Sequence, residues 1–259
     1  MAERLQVIRQ QPETVIDWWS QGSASQAVLA QAYPKARLLR VEATAPAGEP
    51  RRSPWWSALR RRREALPVAE PDVPAHAAQL VWANMMLHAV PDPEAQMTSW
   101  RRALAVDGFL MFSTLGPDTL ASLRGLYRDA GWGSAHAAFT DMHDYGDMLV
   151  AAGFADPVMD QERLSLSWAT PEALLGELRT LGGNADPTRF AGLRTPRWRS
   201  RLLAALRERA GSDGRISLEF ELVYGHAFNP LPRAKVTGET RVAVDDLRAM
   251  ARSGRRPGA

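Results

Sequence analysis

Thr14-Val15-Ile16-Asp17-Trp18-Trp19-Ser20-Gln21-Gly22-Ser23 is the stretch on which the fold turns. Its first six residues are β-branched, apolar or aromatic and run into a polar, glycine-bearing turn, the pattern of a buried strand and its exit. Ala24 to Tyr33 has helix-forming composition and is closed by Pro34, and Arg37-Leu38-Leu39-Arg40-Val41-Glu42 reads as a second strand ending in an acid. Strand, glycine turn, helix, strand and acid together form the opening βαβ unit of a nucleotide-binding sheet.

In such a sheet, ligands lie outside the carboxyl ends of the strands, near the point where strand order reverses. The candidate residues there are Asp17 to Gly22, Glu42, Asn84 to His88 and Ser113 to Gly116. An acid closing the second strand can accept both hydroxyls of a ribose, and Gly22 lets backbone approach a ligand. The same acid also fits a plain surface position beside a loop. The turn holds a single glycine and is not G-x-G-x-x-G, so it makes a poor pyrophosphate cradle. That disfavours a dinucleotide and leaves a phosphate-free adenosine cofactor such as S-adenosylmethionine.

Working outward, Glu3 to Gln10 reads as a short amphipathic helix stopped before Pro12. Ala43 to Pro54 has loop composition, Trp55 to Glu64 a short basic helix, and Ala65 to Val68 the remnant of a third, edge strand. Gln79 to Asn84 and Phe109 to Thr114 are buried strands flanking a helix over 94–105, with Asp107-Gly108 as the turn between. Helices follow at 119–129 and 142–152, the latter capped near Gly153. Two strands over 158–168 and 216–228 are separated by an arginine-rich helical stretch rather than a simple crossover, which predicts an antiparallel pair at one edge of a mixed α/β sheet.

Composition narrows the function classes. The chain has 259 residues, 45% hydrophobic and 24% charged, enough to bury a full core. No window approaches 18 apolar residues and Met1-Ala-Glu-Arg-Leu5 has no secretory character, so a soluble, cytoplasmic protein with no membrane partner is expected. The absence of cysteine excludes disulfides, thiolate catalysis and cysteine-ligated metal. His76, His88, His136, His143 and His226 are scattered with no ligand spacing, so no metal is expected. No G-x-S-x-G elbow is present. His88, just past a strand end, and His143, at a helix start, are the candidates for proton chemistry, although a histidine at a helix start usually caps or packs.

The formal net charge is +3, from 32 Lys and Arg against 29 Asp and Glu, so clustering says more than balance. Arg60 to Arg63 form one run, and Arg194, Arg197, Arg199, Arg201, Arg207 and Arg209 another. Such runs are usually solvated helix faces and sometimes acidic-partner surfaces. Nine tryptophans suggest base stacking, yet Trp18, Trp19 and Trp82 fall in predicted strands, so most read as core or pocket wall. Trp198, among arginines, is the exception and a docking candidate.

Four stretches then carry a family resemblance: Leu80-Val-Trp-Ala-Asn-Met-Met-Leu-His88, Gly108-Phe-Leu-Met-Phe-Ser-Thr-Leu-Gly-Pro-Asp-Thr-Leu120, Phe139-Thr-Asp-Met-His-Asp144 and Ala152-Gly-Phe-Ala-Asp-Pro-Val-Met-Asp160. Over about residues 4–228 the chain resembles the malonyl-acyl-carrier-protein O-methyltransferases of biotin synthesis, the BioC family. The resemblance implies a class I methyltransferase fold, Rossmann-like, with seven strands, the last inserted antiparallel, and S-adenosyl-L-methionine as methyl donor. It implies one domain over 1–230 with a helical insertion at about 169–213, and a flexible tail over 231–259.

Carried over by position, the resemblance places Asp17, Trp19 and Gly22 at the first cofactor motif and Glu42 on the ribose. It puts Ala65 and Leu66 beside the adenine, and Asn84 and Met85 after the fourth strand. Trp18, Trp19 and Gln21 stand where the family has glycine-rich sequence, and Arg62 stands about where it has an acid. The implied acceptor is the malonyl carboxylate, carried on acyl carrier protein or as malonyl-CoA. An arginine is the natural clamp for a carboxylate, and Arg179 in the insertion is the candidate. A monomer is expected. The Arg194 to Arg209 face would suit an acidic carrier protein. The degenerate first motif leaves two other readings open: an inactive methyltransferase-like binding module, and, from the arginine and tryptophan content, an RNA methyltransferase.

Overall fold

The computed structural model describes residues 1–19, 24–43 and 68–231. Gln21, Gly22, Trp55, Ala65, Leu66, the Arg60 to Arg63 run and the tail after Leu231, all singled out above, lie outside the described residues.

Within them, β1 (Thr14–Trp18), α1 (Ala24–Ala32) and β2 (Arg37–Glu42) form the opening unit, followed by a two-residue β3 (Val68–Ala69) and β4 (Ala78–Asn84). Next come α2 (Pro93–Ala103), β5 (Leu104–Leu115), α3 (Ala121–Asp129) and α4 (Met142–Ala151). The chain then runs through β6 (Ala155–Trp168), α5 (Pro171–Thr180), α6 (Pro196–Arg207) and β7 (Ile216–Phe228). The seven strands form one sheet in the order β3-β2-β1-β4-β5-β7-β6. β1 to β5 are mutually parallel, and β7 lies antiparallel between β5 and β6, the edge pairing expected from the sequence.

Strand alternation builds both faces. Ile16, Trp18, Val81, Ala83, Leu110 and Phe112 point into one core with Trp100 of α2 and Tyr145 and Leu149 of α4. Their neighbours Val15, Leu80, Trp82, Phe109 and Met111 point to the opposite face, against Leu5 and against Leu29 of α1. The period of two, applied to three adjacent strands, therefore gives a central sheet covered on both sides. A third cluster joins α3, α5 and α6 to β7 through Leu123, Leu174, Leu202, Leu206 and Phe220.

Local readings differ from the structure at defined places. Residues 2–7 form a 3-10 turn rather than a helix reaching Gln10. The edge strand, Val68–Ala69, overlaps the expected Ala65 to Val68 at Val68 and runs one residue further; residues 65–67 lie outside the described residues. The helix expected over 94–105 stops at Ala103 and β5 begins at once, carrying an irregularity in which Ala78 and Leu80 face Leu104 and Phe109. The cause is distant in sequence. The Asn229 side chain donates to the carbonyls of Leu104 at 2.9 Å and Ala105 at 3.1 Å. Asp107, at φ 60°, donates its N–H to the Asn229 carbonyl. α3 begins at Ala121, two residues later than expected, because Leu120 takes a left-handed conformation, φ 56°.

Candidate active site

The carboxyl ends of β1, β2, β4 and β5 meet at the strand-order reversal between β1 and β4, and the expected site residues there have distinct surroundings. Asp17 is fully buried in β1, in register with Arg40 and Trp82. Trp19 is half-buried, and its backbone N–H donates to the Val41 carbonyl at 2.8 Å. Glu42, at the end of β2, is half-exposed and paired with Arg40 at 2.8 Å. Asn84 and Met85 are exposed where β4 ends.

Ser113 organises the turn after β4. Its hydroxyl donates to Asn84 Oδ1 at 2.8 Å, while the Met85 N–H donates to the Ser113 carbonyl at 2.9 Å and approaches its Oγ at 3.1 Å. These bonds hold Met85 in a left-handed conformation, φ 55°, that a residue with a Cβ takes up only when its surroundings fix it.

His88 follows on the next turn. Its Nδ1 lies 3.5 Å from the Thr114 Oγ1, and its ring meets Phe139 edge-on at 6.0 Å. Burial pushes its pKa below the ordinary 6.5, so the ring is neutral at neutral pH. Tyr145, buried on α4, bonds to Thr114 and Thr140, and burial raises its phenol above the usual range. His88, Thr114, Phe139, Thr140 and Tyr145 thus form a mixed polar and aromatic cluster beside the Ser113 turn.

The other two residues considered for catalysis stand elsewhere. His143 is exposed at the first turn of α4, with its ring Nδ1 2.6 Å from Asp141 Oδ1, the carboxylate that also caps the helix by accepting the His143 N–H at 2.8 Å. Those two bonds hold the Asp141 carboxyl below its ordinary range. Arg179 is exposed in the last turn of α5, a helix packed on β6 and α6. The structure brings His88 to the crevice turns and keeps Arg179 on the insertion.

The Gly116-Pro117-Asp118-Thr119-Leu120 part of the most specific stretch is a fastening between β5 and β7. A Cβ on Gly116 would come within 2.7 Å of the Glu221 carboxyl, so only glycine lets that buried side chain pass. Glu221 Oε2 accepts the Asp118 N–H at 2.7 Å. Asp118 in turn pairs with Arg163 of β6 at 2.6 Å.

The arginine-rich face is partly internal. Trp132 and Trp198 meet at 5.6 Å and 69°, with Tyr127 against both. Arg194 lies 4.4 Å over Trp198 and donates to the Trp132 carbonyl, Arg201 lies 5.6 Å over Trp132, and Arg207 pairs with Glu172. Trp198 is therefore a wall of the insertion core, not a free docking ring, while Arg197, Arg199 and Arg209 remain exposed. A shallow cleft of about 240 Å³ is lined by Arg124, Arg128, Gly133 and Ser134. Among the described residues no carboxylate and histidine cluster could hold a metal ion, and no helix is long and apolar enough to cross a membrane.

Sequence reasoning missed Glu70, Gln96, Tyr145 and Glu221. Glu70-Pro71-Asp72 gave no periodic signal, and the others read as helix or strand interior. Only the Ser113-Thr114 position beside a strand end pointed toward the cluster around His88.

This strand order, with the seventh strand antiparallel and the crevice between β1 and β4, defines the class I methyltransferase fold. Solved structures agree on the fold. The YcgJ protein of Bacillus subtilis superposes with a TM-score of 0.56 at 10% identity, covering 89% of this chain and 97% of that one. A Bacillus halodurans protein described as a putative methyltransferase gives 0.56 at 13% identity, covering 89% and 99%. No family model matches the chain. Whole-sequence comparison is more specific. The malonyl-[acyl-carrier protein] O-methyltransferase of Gallionella capsiferriformans is 36% identical over 245 residues, 92% of this chain and 84% of its own. That of Halorhodospira halophila is 36% identical over 262 aligned residues, 96% and 86%. The chain belongs to the malonyl-[acyl-carrier protein] O-methyltransferase family.

Proposed function

We propose that this chain methylates the free carboxylate of a malonyl group carried as a thioester on acyl carrier protein, with S-adenosylmethionine as donor, a step of biotin synthesis. The observation that carries the reading is the 36% identity to enzymes named for that activity over nine-tenths of the chain. The residues at the crevice fit the donor. Glu42 offers a half-exposed carboxylate at the end of β2 for a ribose diol, and the turns at Trp19 and Met85 lie on either side of the reversal point. A single-glycine first turn suits a nucleoside without phosphates.

Bound there, S-adenosylmethionine supplies a sulfonium methyl, an electrophile that needs no acid to activate it. A carboxylate is ionised at neutral pH, so the acceptor needs no general base. The protein's work is to hold the acceptor oxygen in line and keep water away. His88, neutral because it is half-buried, can offer an N–H to that oxygen without competing for a proton, and Phe139 packs edge-on against its ring. Asp17, Trp19, Glu42, Asn84 and Met85 serve the donor in this reading. Gly22, Ala65 and Leu66 are assigned to the donor by family position alone. His143 and Arg179 have no part in it, because the first is exposed with its ring bonded to the cap residue Asp141 and the second is exposed on α5.

The test is methyl transfer to malonyl carrier protein and to malonyl-CoA, read by mass spectrometry as one added methyl on the malonyl group. Cofactor binding without methylation of either thioester would overturn the proposed acceptor.

A further inference from the structure

Trp19 sits at φ 52°, a conformation that glycine adopts freely and that strains any residue with a Cβ. Trp19 has the backbone of a glycine position with a bulky ring on it, and the structure shows where the ring goes. Its indole Nε1–H donates to Glu70 Oε2 at 2.9 Å, on the turn that follows β3. The other oxygen, Glu70 Oε1, accepts from the side-chain amide of Gln96 at 3.1 Å, and Gln96 is buried on α2. The indole is thereby tied at its ring nitrogen and, through the Trp19 N–H to Val41, at its backbone. It packs on the core cluster of Trp18 and Trp100 while staying half-buried.

These contacts run from β1 past the end of β2 to the turn after β3. Glu42, the ribose candidate, directly follows the Val41 whose carbonyl Trp19 binds. We infer that Glu70 is a positioning residue that latches the Trp19 indole as a fixed aromatic wall on which the purine of the bound nucleoside stacks. The inference rests on the cofactor reading above. A π face is a sequence-tolerant platform for a base and gains from being held rigid before the ligand arrives. The latched ring thus replaces contacts that a glycine-rich turn would make through its backbone.

Calorimetric titration with S-adenosylhomocysteine and with 5′-methylthioadenosine tests this, since both carry the purine and only one the amino acid. The wild type should bind both, with quenching of indole emission that Trp19→Phe reduces. Glu70→Leu should weaken both ligands by the same factor, roughly ten- to hundredfold. Glu70→Gln retains an acceptor for the indole N–H and should stay within about threefold of wild type. Unchanged affinity in Glu70→Leu, or tighter binding in Trp19→Gly, would overturn the wall. Should Glu70→Leu fail to fold, Trp19→Phe reads the same tie by keeping an aromatic face, though a smaller one, and removing the donor, and an unaltered affinity there would overturn the latch. A wild type that binds neither ligand removes the cofactor reading as well, whereas a binding wild type with indifferent variants removes only this inference.

Discussion

The hydroxyl of Thr119 engages both backbone groups of Glu221, donating to its carbonyl at 3.2 Å and accepting from its N–H at 3.0 Å. One buried side chain thus completes the β7 ladder where β5 has already turned away, and the Leu120 N–H continues the same edge by donating to Glu219. Thr119→Val keeps the shape and removes both bonds. It should destabilise the fold by about 1–3 kcal/mol, because the buried Glu221 N–H loses its partner, while the Glu221 carbonyl keeps the Gly116 N–H at 2.9 Å. Thr119→Ser should cost under about 1 kcal/mol. Urea unfolding checks both, and equal midpoints for valine and wild type would show that the contact carries no stability.

Gly225 of β7 is fixed by a neighbour on β5. An added Cβ would meet the Phe112 ring at 2.0 Å, inside the core shared with Trp100 and Tyr145. Gly225→Ala should lose about 2–4 kcal/mol through overpacking. Gly225→Ala with Phe112→Leu should lose less than the two single changes added together. Additive losses in a double-mutant cycle would mean that the ring relaxes freely.

Burial lowers the pKa of His226 below its ordinary 6.5, and its ring lies between Phe109 and Phe228 at 5.9 and 4.8 Å. The unfolded chain therefore takes up this proton first as pH falls below about 6.5, and the folded state loses stability over that window. Above it both states are neutral there and the group has no effect. His226→Phe should flatten the fall in stability between about pH 7 and pH 5. Parallel curves for variant and wild type would place the acid sensitivity elsewhere. His88 and His136 are shifted in the same direction by burial, so a shallower slope remains.

Glu42 is half-exposed and its ion pair with Arg40 lies at the surface, so Glu42→Ala should change stability by less than about 1 kcal/mol. Its effect should fall on the donor. Loss of a charge-assisted bond to a ribose hydroxyl should weaken S-adenosylhomocysteine by about tenfold or more. Unaltered affinity by calorimetry would move the ribose away from β2.

Arg199 is exposed on α6, away from the aromatic contacts that occupy Arg194 and Arg201. Arg199→Glu should slow turnover of a carrier-protein thioester by roughly three- to tenfold, more at low salt, and leave a small malonyl thioester unaffected. Equal slowing of both would argue against carrier docking on this helix.

The architecture was legible where each strand reports its own surroundings. β2 coincides with the predicted Arg37 to Glu42, and β1 ends one residue early, because alternating burial on a central sheet leaves a period that local sequence records. The start of β5 was not legible, since Asn229 fixes it from more than a hundred residues away. The site was half legible. Strand ends marked Glu42, Asn84 and His88, but nothing local announced that Glu70 would meet Trp19, because that hydrogen bond spans 51 positions and two strand boundaries.

α5 and α6 leave and return at a single rung of the β6–β7 ladder, where Trp168 faces Ile216. An excursion whose two ends already touch can be lengthened, shortened or exchanged without altering the register of the strands beneath it. Recombination between relatives at that rung would exchange the α5–α6 cluster while the sheet and the crevice between β1 and β4 are inherited intact.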